Sequence, residues 1–105
     1  MSVVPIAVMM IGPGEKLWVI PDVSEDDKYE FIYRDASGIR WDPENRCLYP
    51  FEPKELPHHE WLKIIRNAVM SEYGDDLVLT KLTHWENVDY ETRMECEKDG
   101  MWQST

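Results

Sequence analysis

PHHEWLKIIRNAVMSEYG, residues 57–74, decides the fold class. Trp61, Ile64, Ile65, Ala68 and Val69 fall at i, i+3, i+4, i+7 and i+8, so the spacing predicts an amphipathic helix over 57–73. Pro57 suits the first helical turn, where the N–H it lacks has no intrahelical partner. Glu60 complements the positive end, and Gly74 is a natural stop. Lys63, Arg66 and Asn67 face mostly away from the stripe. The stripe must be buried against another layer, and the segments on both sides read as strands.

Upstream, Val3–Ile11 is a short apolar run, interrupted by Pro5 and bounded by Gly12-Pro13-Gly14. Its length and branching favour a buried strand, with Pro5 at an edge or bulge. Lys16–Ile20 is a second strand ended by Pro21, and Gly12–Glu15 joins the two as a hairpin loop. Lys28–Arg34 alternates aromatic with mostly polar residues, the period of a half-buried strand. Two short strands, Ile39–Asp42 and Arg46–Tyr49, flank the turn Pro43-Glu44-Asn45. Pro50, Pro53 and Pro57 then punctuate an extended connection.

Downstream, Asp75-Asp76 turns the chain into a strand over Leu77–Leu82. Val88–Glu97 alternates strictly: Val, Tyr, Thr, Met and Cys on one face, Asp, Glu, Arg, Glu and Glu on the other. That alternation predicts a strand. Lys98-Asp99-Gly100 offers hairpin chemistry before Met101-Trp102-Gln103. The expectation is α+β: a single globular domain over residues 1–105, with one principal helix (57–73) on a mostly antiparallel sheet.

Charge limits the partners. Twenty-one acidic residues against 11 basic leave −10, split −4 over residues 1–50 and −6 over 51–105. The excess is spread along the chain and repels phosphate backbones and anionic membranes, so neither nucleic acid nor a membrane is an expected partner. A basic protein would be attracted, although such acidity also serves solubility. The run at Val3–Ile11 follows no basic region, lacks a small-residue cleavage pattern and is too short to span a bilayer. A cytoplasmic location is expected. Cys47 and Cys96 lie 49 residues apart and match no metal spacing. One disulfide is compatible with the count, but the absence of an export signal favours free thiols.

Motifs of chemistry are scarce. His58-His59-Glu60 opens the helix, yet adjacent histidines point about 100° apart and no H-E-x-x-H pattern follows. Asp22-x-Ser24-x-Asp26 has the start of a calcium loop, but Asp27 stands where glycine is needed and Tyr33 where a bidentate glutamate is needed. Gly12-Pro13-Gly14 lacks the lysine-serine pair and helix start of a phosphate cradle. His84, Glu86 and Asp89 beside Trp85 contain the residue types of an acid–base site without a diagnostic spacing. No catalytic residue, metal site or cofactor is assigned.

Five tryptophans and five tyrosines are a heavy aromatic load for 105 residues. Aromatic residues are enriched both in cores and at interface hot spots. Trp18 and Trp61 fit the core by pattern. Trp41, Trp85 and Trp102 lie in turn-flanked stretches that end a core or line a site. The run Glu72-Tyr73-Gly74-Asp75-Asp76-Leu77-Val78-Leu79-Thr80 and its continuation Thr83-His84-Trp85-Glu86-Asn87-Val88, with the chain's size and acidity, resembles small acidic orphan proteins of bacterial mobile elements. Integron gene cassette proteins and polymorphic-toxin immunity proteins are of this kind. The resemblance transfers no functional residues.

Two functions are therefore weighed. The first is a non-enzymatic, immunity- or antitoxin-like binder that engages a basic protein through Asp22, Glu25, Asp26, Asp27, Glu91, Glu95 and Glu97, with Trp41, His84, Trp85 and Trp102 as partner-binding residues. The second is a small-ligand-binding protein or unrecognised enzyme, with a pocket between helix and sheet lined by Trp41, His84 and Trp85. The uncharged run Val3–Ile11 near a chain end also predicts a homodimer, since an unprotected sheet edge pairs with another chain.

Overall fold

The apolar run near the start of the chain becomes the longest strand of the protein, β1 (Ser2–Ile11), in a computed structural model that describes residues 2–52 and 55–101. A tight turn follows in which Gly14 and Glu15 both take the left-handed conformation, at φ +73° and +57°. The turn is closed by the Gly12 N–H donating to the Lys16 carbonyl at 2.9 Å. The chain returns as β2 (Leu17–Pro21), antiparallel to β1, with a register shift between Ile6 and Val8 next to Pro5. β3 (Ile39–Asp42) and β4 (Cys47–Pro50) form the second hairpin, and β4 lies antiparallel to β2.

β5 (Asp75–Val78) and β6 (His84–Glu86) both pair with β1 in parallel, β5 along Ser2–Pro5 and β6 along Val8–Met10. The strand order is β3-β4-β2-β1-β5, with β6 also on β1. Between them Thr83 bridges the gap: its hydroxyl donates to the Ile6 carbonyl at 2.7 Å and accepts from the Thr80 N–H at 3.0 Å. The α+β class holds, and the sheet is mixed, with β1 as its centre.

The predicted helix forms as α1 (His58–Tyr73), and Gly74 ends it at φ +70° with its N–H on the Met70 carbonyl. Trp61, Leu62, Ile65, Ala68 and Val69 are buried. They share a core with Ile6, Met9, Leu17, Val19, Leu48 and Leu77. α1 therefore lies across the middle of the sheet, and a buried leucine such as Leu62 contributes about 2 kcal/mol by removal from water.

Two expected strands are something else. Val88–Glu97 is not a strand; the chain folds as the helix α2 (Tyr90–Gly100), capped by the Asp89 carboxylate, which accepts the Thr92 N–H at 2.7 Å. Of the expected apolar row only Cys96 is buried, while Tyr90 is 75% exposed. Lys28–Arg34 is also not a strand. Successive turns, with N–H groups of Lys28, Glu30, Ile32 and Arg34 donating three residues back, run into a 3-10 helix at Ile32–Asp35. Tyr29 and Ile32 reach the core from this segment. The strand expected over Leu77–Leu82 begins at Asp75 and ends at Val78, and Leu79 bridges Met101. Trp102 and Gln103 lie outside the described residues.

Candidate functional site

A groove opens where the tight turn and the starts of both helices converge. Two cavities, about 620 Å³ and about 580 Å³, share Glu15 and His58 as common lining. Leu17, Pro50, Leu56 and Trp61 supply apolar lining on one side, and Ile11 and Val88 on the other. Among the described residues the lining carries the carboxylates of Glu15, Glu52, Glu55 and Asp89 and the ammonium of Lys16.

Local structure explains each position. The left-handed turn carries Glu15 to the lip shared by both cavities. Pro57 leads into α1 with an extended ψ of 149°, which sets His58 at the first helical position. Asp89 is held by Thr92, whose side chain first and backbone N–H second lower its pKa from the ordinary carboxylate value, with nearby His58 adding to the effect. His58 Nδ1 is buried without a hydrogen-bond partner among the described residues. An unpaired buried nitrogen carries a desolvation cost that a ligand donor would relieve. The positive ends of two helices offset part of the carboxylate charge. The arrangement suits a group with an apolar stem and a positive head.

The residues singled out in the sequence are not gathered here. Asp22, Glu25, Asp26 and Asp27 are exposed on the loop after β2, where Asp26 pairs with Arg46 at 3.2 Å. Trp41 is a core residue, edge-on to Tyr29, with its indole N–H on the Asp26 carbonyl at 2.7 Å. His84 is exposed and lies 3.4 Å from Glu86. Trp85 is half-buried beneath the Arg93 guanidinium, 5.2 Å from the ring centre. Trp41 stands on β3 and Trp85 on β6, with β4, β2 and β1 between them in the sheet. On α2, Glu95 pairs with Lys98 and Glu97 with Arg93. Glu91 and Glu95 share a helix face, whereas Glu97 is about 200° around from Glu95. Trp102 lies outside the described residues.

Cys47 and Cys96 are buried free thiols, as expected, and burial pushes both pKa values up to about 12. Among the described residues no three His, Cys, Asp or Glu side chains are grouped to hold a metal, and no helix is long and apolar enough to cross a membrane. Sequence reading singled out His58 at the helix start, grouped Asp89 with His84 and Glu86 instead, and missed Glu15 and Glu55. Gly12-Pro13-Gly14 marked the turn that presents Glu15, and Asp89-x-x-Thr92 is a helix-start signal that the alternation concealed.

Among known families, the model described as Integron Cassette Protein Hfx_Cass5 matches residues 4–83, from within β1 to Thr83. A solved structure of the Integron Cassette Protein Hfx_Cass5, from the mobile metagenome of North West Arm Sewage Outfall, is 33% identical in sequence. That similarity covers 93% of this chain and 95% of the other, with a TM-score of 0.45. No curated protein matches the chain.

Proposed function

The chain belongs to the Hfx_Cass5 family of integron cassette proteins, and we propose that it is a non-enzymatic binding protein whose groove receives basic side chains of a protein partner in the cytoplasm. One observation carries this reading: Glu15, at the lip shared by both cavities, stands with Glu55 on one side and Asp89 on the other, beside apolar lining and the Nδ1 of His58 that has no partner among the described residues. A lysine or arginine lays its methylene stem on Trp61 and Leu56 and its charged head among Glu15, Glu55 and Asp89. The remaining acidity, including the loop at Asp22–Asp27, steers a basic partner toward the protein from a distance. A basic toxin is one partner of this chemistry, in keeping with an immunity-type role.

A second reading has its own support, because both cavities fall in the roughly 300–1,000 Å³ range of small-molecule sites. On that reading a free organic cation occupies the same groove. Titration with a lysine- and arginine-rich peptide, followed by backbone amide shifts, tests the first. Shifts are expected at Glu15, Leu17, His58 and Asp89, weakening with salt. Glu15→Lys combined with Glu55→Lys should weaken binding about tenfold or more. Shifts confined to the Asp22–Asp27 loop and α2 would refute the groove as the site. Binding of an alkyl diamine but not of the peptide would favour the second reading.

A further inference from the structure

α1, with α2 and the 3-10 helix at Ile32–Asp35 packed against it, lies on one face of the sheet, and the middle of the opposite face is apolar. Strand pairing sets its side chains in two rows. One runs His84, Val8, Ile20, Cys47, Asp42, and the next runs Glu86, Met10, Trp18, Tyr49, Arg40. Val8, Met10, Trp18, Ile20 and Tyr49 are all partly exposed, and none belongs to the core cluster or packs against it. Trp18 and Tyr49 stack on each other at 5.6 Å, and Phe51 extends the face at 54% exposure. A sheet with water on one face alternates apolar and polar residues along its strands, whereas continuous apolar runs mark strands buried on both faces. The run Val3–Ile11 contains no polar residue. An apolar face of this kind marks an interaction surface.

We infer that this face is covered by a second copy of the chain, stacked sheet on sheet about a two-fold axis that runs along β2. Charge selects this occupant. The protein carries −10, yet among the described residues the two rows bear only Arg40 and Asp42 at one margin and His84 and Glu86 at the other. A basic partner is drawn to the carboxylates elsewhere, and none of the five partly exposed apolar residues lines the acidic groove. A two-fold axis along β2 exchanges the two margins. Arg40 then faces the second copy's Glu86, and Asp42 faces its His84. Met10 meets Tyr49, while Trp18 and Ile20 each meet themselves. The two rows are therefore self-complementary in charge and apolarity, as an isologous interface requires, and aligned sheets stack about 10 Å apart.

Sedimentation velocity of the full chain at increasing concentration tests this. The expected result is a species of twice the 12.5 kDa chain mass. Ile20→Lys places two ammonium groups together on the axis and should leave a folded monomer, with folding checked by circular dichroism. Arg40→Glu and Glu86→Arg lie at the margins; because Arg40 stacks on Phe51 at 4.7 Å and Glu86 lies 3.4 Å from His84, circular dichroism checks that each variant folds. Each alone should weaken the dimer about tenfold, and the two combined should restore it, because they exchange a facing pair. A wild-type chain that remains at 12.5 kDa throughout overturns the inference. So does a double variant no tighter than its parents, because the margins then do not face each other. Neither result bears on peptide binding in the groove, which is read separately.

Discussion

Thr83 shows how much one hydroxyl decides. β1 changes partner from β5 to β6 along one edge, and between these pairings the Ile6 carbonyl has no strand opposite. The Thr83 hydroxyl donates to that carbonyl and accepts from the Thr80 N–H, and Thr83 is 7% exposed. Thr83→Val keeps the shape and removes both bonds. It should cost about 1–3 kcal/mol for each orphaned group, read as a lower urea midpoint at unchanged m-value. Thr83→Ser retains the hydroxyl and should recover most of the loss, and a valine variant as stable as wild type would show that the gap is satisfied otherwise. Glu15 is a comparable case, since a non-glycine residue at φ +57° costs about 1–2 kcal/mol and holds a carboxylate at the lip of the groove.

At the scale of elements, Arg66 ties three of them together. Its Nε donates to the Leu77 carbonyl of β5 at 2.6 Å, Nη1 to the Asp99 carbonyl of α2 at 2.7 Å, and Nη2 to the Asp76 carboxylate at 3.2 Å. Sequence periodicity placed Arg66 on the outer side of α1, and it is indeed off the apolar stripe. The structure puts α2 and the end of β5 within reach of its fork. Lysine carries the same charge but cannot serve three acceptors from a planar guanidinium, so Arg66→Lys should cost about 1–3 kcal/mol. Amide exchange should also rise in α2 before it rises in α1. Uniform protection loss across both helices would contradict a docking role for Arg66. α2 itself depends on this docking, because only Cys96 and Gly100 are buried along its length.

For the whole molecule, the buried acids set the alkaline limit. Burial raises Cys47 and Cys96 to about 12, and burial with the Asp75 hydrogen bond pushes Tyr29 well above its ordinary 10. A pKa raised in the folded state gives stability that is complete below the unfolded pKa and is lost as pH rises toward the folded value. Stability should therefore be level up to about pH 8.5 and fall from there toward pH 12, first through the thiols and then through Tyr29. Urea midpoints measured across this range check it. Cys47→Ala with Cys96→Ala should remove the earlier part of the decline and leave the tyrosine part. A flat profile through pH 11 would mean that the three groups are not shielded as the fold has them.

The sequence by itself determined what depends on neighbours along the chain. The stripe Trp61–Val69 and the stop at Gly74 specified α1, the Gly12–Glu15 breaker specified the first hairpin, and the charge count was complete before any folding. Tertiary structure decided where local signals were ambiguous. Val88–Glu97 alternates like a strand, yet its glutamates, lysine and methionine favour helix, and the Asp89 cap with docking at Cys96 and Gly100 settles it as α2. Lys28–Arg34 alternates as well, but Tyr29 can reach Asp75 and the core only if the chain turns there. The groove has the same origin: Glu15, the Glu55–His58 stretch and Asp89 are distant in sequence and meet because the first hairpin and two helix starts end at one place. Local periodicity records the face a residue prefers, while packing of whole elements decides which residues share a site.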